Sequence, residues 1–180
     1  FVMPYGDCPL DSDKVGERVY MDILNRAQKY VHIMTPYLIL DGELEAALKF
    51  AAERGVEVCL ILPGIPDKTI PYALAKGEYK TLLESGVHIY EYQPGFLHAK
   101  SFVCDDEIAV VGTINLDYRS LYLHFENGVW FYKNKVIQDI LDDFNQTLKY
   151  CDPISIDFCK NRNIVVRAFQ SILRLFAPLL

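Results

Sequence analysis

The sequence predicts a mixed α/β fold, a sheet sandwiched between helices, and three observations carry that prediction. Short apolar runs alternate with segments of helical periodicity through the first half of the chain. Later strand-like runs at 97–104 and 108–113 are separated only by a short acidic turn, as hairpin partners are. The 180 residues are 51% apolar, enough to bury the core of a single domain.

In chain order, residues 1–10 (FVMPYGDCPL) read as a linker from a preceding half of the protein. Val15, Val19, Ile23, Leu24 and Ala27 recur at helical spacing within 15–30. Residues 31–34 form a short strand stopped by Thr35 and Pro36. Asp41 caps a helix through Arg54 that Gly55 ends. A buried strand over 56–62 runs into Pro63-Gly64-Ile65-Pro66, and a helix over 72–85 stops at Gly86. Strands follow at 87–92, 97–104, 108–113 and 125–132, then a helix at 135–150. The loops 35–37 and 63–68 fall at strand ends, where ligands of such sheets gather. In the tail, Val165, Phe169, Ile172, Phe176 and Leu179 form an apolar stripe beside Arg167, Gln170, Ser171 and Arg174. Residues 160–180 therefore read as a basic amphipathic C-terminal helix, suited to an anionic membrane surface or to docking on another part of the protein.

The net charge of −6 is unevenly spread. Lys160, Arg162, Arg167 and Arg174 fall in the last 21 residues, which hold no acid, so the first 159 carry 14 basic against 24 acidic residues, a net of −10. An acidic body argues against a nucleic-acid groove, which depends on clustered lysine and arginine. Cys8, Cys59, Cys104, Cys151 and Cys159 are odd in number and widely spaced, and read as reduced thiols of a cytosol-facing domain. No run is long enough for a membrane span, and no signal peptide is visible.

The chemistry is concentrated in HAKSFVCD, residues 98–105. In an extended chain His98 and Lys100 share a face, because alternate side chains do. A neutral imidazole can attack phosphorus while an adjacent ammonium holds the non-bridging oxygens where charge builds up. Thr113 and Asn115, again two residues apart, offer a hydroxyl and an amide to a phosphate. Glu126, in the following strand, is the nearest candidate to accept from the second ring nitrogen of His98 and so fix its tautomer. Asp105 is open to two readings: a turn carboxylate, or a member of the motif. His32 and His88 read as ordinary structural histidines.

These residues, with the wider stretch PGFLHAKSFVCDDEIAVVGTINLDYRSLYLHFENGVW, resemble the second catalytic motif of bacterial cardiolipin synthases in the phospholipase D superfamily. The stretch YVHIMTPYLILDGELEAALKFAAERGVEVCLILPGIPDK and the closing RLFAPLL are similar to the same family, so the likeness covers about Asp11 to Leu180. It implies a phospholipase D-like catalytic domain over 11–159, with Asp105 as a structural partner that holds the motif. Asp117, Arg119 and Ser120 match the family's N-x-D-x-R-S continuation; Arg119 could bind phosphate or pair with Asp117. His124 stands where many of these enzymes carry asparagine.

The resemblance further implies phosphatidyl transfer between two phosphatidylglycerol molecules, giving cardiolipin and glycerol through a phosphohistidine, with no metal and no cofactor. Such enzymes carry two H-x-K motifs, and this chain has one. It is expected to be the second half, inactive alone, partnered by a missing N-terminal half or by a second copy. The expected setting is the cytoplasmic face of the bacterial membrane, with an anchor in the missing N-terminal region. Hydrolysis in the manner of phospholipase D, another phosphatidyltransferase activity, and a non-catalytic membrane-associating half are the alternatives.

Overall fold

An eight-stranded mixed sheet organises residues 1–160, the part of the chain that the computed structural model describes. The elements are β1 (Val2–Asp7), α1 (Val15–Arg26), β2 (Tyr30–Met34), β3 (Leu38–Ile39), α2 (Gly42–Glu53), β4 (Glu57–Pro63), α3 (Thr69–Glu84) and β5 (His88–Tyr92). They continue with β6 (Ser101–Cys104), β7 (Ile108–Gly112), β8 (Leu116–Asp117), α4 (Tyr118–Tyr122), β9 (Glu126–Tyr132), α5 (Val136–Leu148), β10 (Cys151–Pro153) and α6 (Ile156–Lys160). Across the sheet the order is β1-β9-β7-β6-β2-β4-β5-β10, while β3 and β8 form a separate parallel pair. Strands β2, β4 and β5 are parallel, and the rest of the large sheet is antiparallel.

Alternating side chains assign the two faces. Val31 and Ile33 of β2, Val58, Leu60 and Leu62 of β4, and Phe102 of β6 join Tyr20, Leu44, Leu48 and Tyr79 from α1, α2 and α3. Their neighbours Met34, Cys59 and Ile61 turn the other way onto Phe144 of α5, and Val103 and Ala109 meet Ile137. Helices therefore cover both faces, as the alternation of elements predicted. Each fully buried large side chain contributes roughly 1.5–3 kcal/mol. The Tyr20 ring also stacks on Phe102 with centroids 4.1 Å apart.

Several boundaries differ from the sequence expectation, each for a local reason. The segment expected as a linker contains β1, an edge strand antiparallel to β9. Pro4 within it has no N–H to give, which an edge position tolerates. The first helix ends at Arg26 because the Asp105 carboxylate captures the backbone N–H groups of Gln28, Lys29 and Tyr30, which a continuing helix would have used. The third helix starts at Thr69, three residues before the expected start. Pro71 lies in its first turn, where N–H groups lack intrahelical acceptors anyway. The two-residue strands β3 and β8 and the short helix α4 carry too little pattern to be read in advance. The expected amphipathic tail helix lies outside the described residues, apart from Lys160 at the end of α6.

Candidate active site

Strands β2, β4 and β5 run in the same direction, so the segments that follow them, 35–37, 64–68 and 93–100, meet at one edge of the sheet. Strand β6 is antiparallel to β2 and begins at that edge, immediately after His98-Ala99-Lys100. Regular pairing was expected from Leu97 but begins at Ser101, although the Gly112 N–H still donates to the Lys100 carbonyl at 3.2 Å.

His98 is exposed, with its ring 5.4 Å from that of Phe96, and its side chain makes no hydrogen bond among the described residues. Lys100 is half-buried, and its ammonium donates to the His98 carbonyl at 2.6 Å. Burial holds the Lys100 pKa below its usual range, against the opposing pull of the Glu126 and Asp117 carboxylates. The cation is thus fixed beside the histidine, with two acids facing it.

Strands β7 and β9, which continue the sheet from β6, bring their ends to the same edge. A side chain at Gly112 would bring its Cβ to 2.4 Å from the Asn127 carbonyl oxygen, so only glycine permits this approach. Directly after it, the Thr113 hydroxyl donates to Glu126 and accepts the Asn127 N–H at 3.0 Å. Glu126 was expected to hold the second ring nitrogen of His98; here it is taken by Thr113, with His124 Nδ1 at 3.6 Å. Asn115 donates to the Ser120 hydroxyl at 2.8 Å, and its own buried carbonyl oxygen has no partner among the described residues.

Asp105 is remote from this surface in role. It sits in the tight turn between β6 and β7, where both Asp105 and Asp106 have positive φ (51° and 60°) and Glu107 N–H closes onto the Cys104 carbonyl at 3.0 Å. Asparagine and aspartate tolerate that left-handed backbone better than most residues. The Asp105 carboxylate accepts three backbone N–H groups, from Gln28, Lys29 and Tyr30, at 2.7–2.9 Å. Burial alone would raise its pKa, but those donors outweigh burial and hold it below the usual carboxylate range. This is a positioning contact that ties the motif strand to the start of β2.

Of the alternatives left open for Arg119, the pairing with Asp117 is not formed. Asp117 caps α4, accepting the Ser120 N–H at 2.7 Å, and is not paired with Arg119. Arg119 is exposed and donates through Nε to His124 Nε2 at 2.8 Å. His124 therefore bridges Arg119 and Glu126, a link that sequence reasoning registered only as a departure from the family pattern. A second cluster went unnoticed in the sequence: the Tyr122 hydroxyl reaches both Glu17 and Asp41, and Lys14 pairs with Glu17 at 3.6 Å. Nothing local marks those contacts, which join residues up to 105 positions apart.

A narrow cleft lined by Tyr37, Pro63, Pro66, Lys68, Tyr72 and Phe96 approaches His98 through Phe96, whose ring lies 5.4 Å from the His98 ring. Part of its lining comes from the two loops singled out from the sequence, the rest from α3, Leu62 and Phe96. Tyr37 donates to Asp67 at 2.6 Å, so the loops are tied to each other across the cleft.

Solved structures share this architecture. The phospholipase D family member Nuc from Salmonella typhimurium superposes with a TM-score of 0.72 at 15% identity, over 86% of this chain and 97% of that one. Phosphatidylserine synthase from Haemophilus influenzae Rd KW20 gives 0.76 at 19% identity, over 99% of this chain and 45% of that one. The fold is thus phospholipase D-like. Over residues 20–148 the sequence matches the family described as cardiolipin synthase, PLD-like domain, and the chain belongs to that family. A cardiolipin synthase of Clostridium perfringens (strain SM101) is 39% identical over 161 residues, 89% of this chain and 34% of that protein. One from Halalkalibacterium halodurans is 36% identical over 167 residues, 93% of this chain and 33% of that protein. An uncharacterized protein of Streptococcus mutans is 56% identical over all 180 residues, 39% of its length. The chain spans little more than a third of the curated relatives it matches. Among the described residues no helix is long and apolar enough to cross a membrane.

Proposed function

We propose that this chain is one catalytic half of a cardiolipin synthase, a phosphatidyltransferase that joins two phosphatidylglycerol molecules and releases glycerol. The observation that carries the reading is an exposed His98 ring, packed on Phe96, with the half-buried Lys100 ammonium fixed against its backbone carbonyl. What sets His98 apart from the exposed His88 is the lysine ammonium held beside its backbone.

His98 and a second histidine, from another half or another copy, divide two roles. One imidazole attacks phosphorus, so a P–N bond forms as the P–O bond to the glycerol headgroup breaks. The other gives its proton to the departing glycerol oxygen. A free hydroxyl of the second phosphatidylglycerol then attacks, the P–N bond breaks, and its proton returns to the second histidine. Lys100 and the remaining amide N–H of Asn115 hold the non-bridging oxygens. Glu126 takes the second ring nitrogen of His98 by exchanging its bond to Thr113. Water entering in place of the lipid hydroxyl would turn transfer into hydrolysis.

The test is product analysis with the full-length parent on phosphatidylglycerol vesicles. Cardiolipin and glycerol in equal amounts support transfer. Phosphatidic acid with glycerol would assign a hydrolase instead.

A further inference from the structure

Ile65 and Ile70 are 50% and 45% exposed, on a segment that is otherwise firmly held. The Gly64 N–H donates to the Tyr92 carbonyl at 2.8 Å, and its own carbonyl accepts from the Tyr72 hydroxyl at 2.9 Å. A side chain at Gly64 would place its Cβ 2.8 Å from that same Tyr92 oxygen, so the loop is seated closely on β5. Two residues beyond Ile65, Asp67 is held by Tyr37. Between the isoleucines, Pro66, Lys68 and Thr69 are all exposed. Holding one branched apolar side chain on a restrained loop and another on the first turn of α3 in water gains nothing within this domain.

The position of the segment indicates what it meets. Pro66, Asp67 and Lys68 share the lining of the narrow cleft with Phe96, and Phe96 packs on His98. Phe96 is itself 36% exposed. A lipid whose phosphate reaches His98 brings its acyl chains to this same edge of the sheet, where Phe96 and residues 65–68 are exposed. We propose that residues 65–70, with Ile65 and Ile70 as the apolar anchors and Lys68 as the cationic contact, dock the catalytic edge on an anionic phospholipid surface. The docking rests on the lipid-substrate reading above. Apolar insertion suits a body whose first 159 residues are net acidic, because charge alone would repel it from such a surface. The single lysine lies where an anionic headgroup would approach.

The test uses two variants at the same place, in this chain and in its full-length parent. I65S/I70S should lower co-sedimentation of the chain with phosphatidylglycerol-containing vesicles by about tenfold, and Ile65→Trp should raise it, since indole favours the interface. In the parent, I65S/I70S should lower kcat/KM on vesicles by about tenfold and leave turnover of dispersed short-chain phosphatidylglycerol unchanged. Equal sedimentation of wild type and both variants would overturn the proposal. An equal loss on both substrate forms would also overturn it, placing the loop against the rest of the protein. Loop-dependent sedimentation without cardiolipin formation would uphold the surface and refute the transferase reading.

Discussion

The Asp105 carboxylate accepts the Tyr30 backbone N–H at 2.8 Å across a separation of 75 residues. The last acidic member of the motif thereby fastens the hairpin carrying Lys100 to the strand beside it, without approaching the reacting edge. Asp105→Ala should cost about 1–3 kcal/mol, because three backbone donors lose a charged acceptor. Asp105→Asn should cost less, since it keeps one acceptor and tolerates the positive φ. Because the folded pKa is depressed, this stabilisation is present above the unfolded value of 3.8 and is lost as pH falls through the lower folded value. Urea unfolding at pH 7 and pH 3 checks it: the gap between wild type and D105A should narrow in acid.

Gly112 offers a sharper structural test. Its backbone passes so close to Asn127 and Gly128 that Gly112→Ala must push β7 and β9 apart. We expect a loss of about 1–3 kcal/mol and weaker activity in the parent, since Thr113 and Glu126 lie across that junction. A thermal melt unchanged from wild type would contradict the geometry.

The Glu17–Tyr122–Asp41 cluster predicts the opposite pH slope. One phenolic hydrogen cannot be donated to both carboxylates, so a second proton is favoured there. Burial, together with the Asp41 charge, raises the Glu17 pKa above 4.5, against the pull of Tyr122 and Lys14. The folded state then binds more protons than the unfolded one, so this group's contribution falls as pH rises from 4.5 through the raised value. Glu17→Gln should flatten that part of the stability profile measured by denaturation between pH 4 and 8.

Lys100 should not be replaceable by another cation. Lys100→Arg keeps the charge but puts a planar fork where a compact ammonium sits 2.6 Å from the His98 carbonyl. We expect a fall in kcat of about 10²–10³-fold for either Lys100→Arg or Lys100→Met in the parent, from lost charge stabilisation. Near-normal turnover of the arginine variant would mean that a diffuse positive charge suffices.

The alternation of helices and apolar runs made the sheet and its flanking layers legible before any coordinates, because burial on two faces imposes its own pattern on strands such as β4. That the loops 35–37 and 63–68 meet at one edge of the sheet was legible for the same topological reason. Partnerships across the chain were not. Thr113 claims Glu126 thirteen residues on and Asp105 reaches back to residues 28–30, long-range side-chain choices that no local spacing encodes; His124, five residues from Arg119, takes that arginine in place of Asp117. Strand β1 was hidden by its proline and glycine, whose presence an edge position tolerates but a linker also displays.

The central claim is that His98 takes part in the chemistry, and one comparison tests it most directly. The full-length parent, wild type and His98→Ala, would be assayed on phosphatidylglycerol vesicles without added metal, following cardiolipin and released glycerol, with circular dichroism to verify folding. The account predicts cardiolipin and glycerol from wild type, and a loss of at least about 10³-fold in a folded mutant. Undiminished cardiolipin from H98A would contradict it.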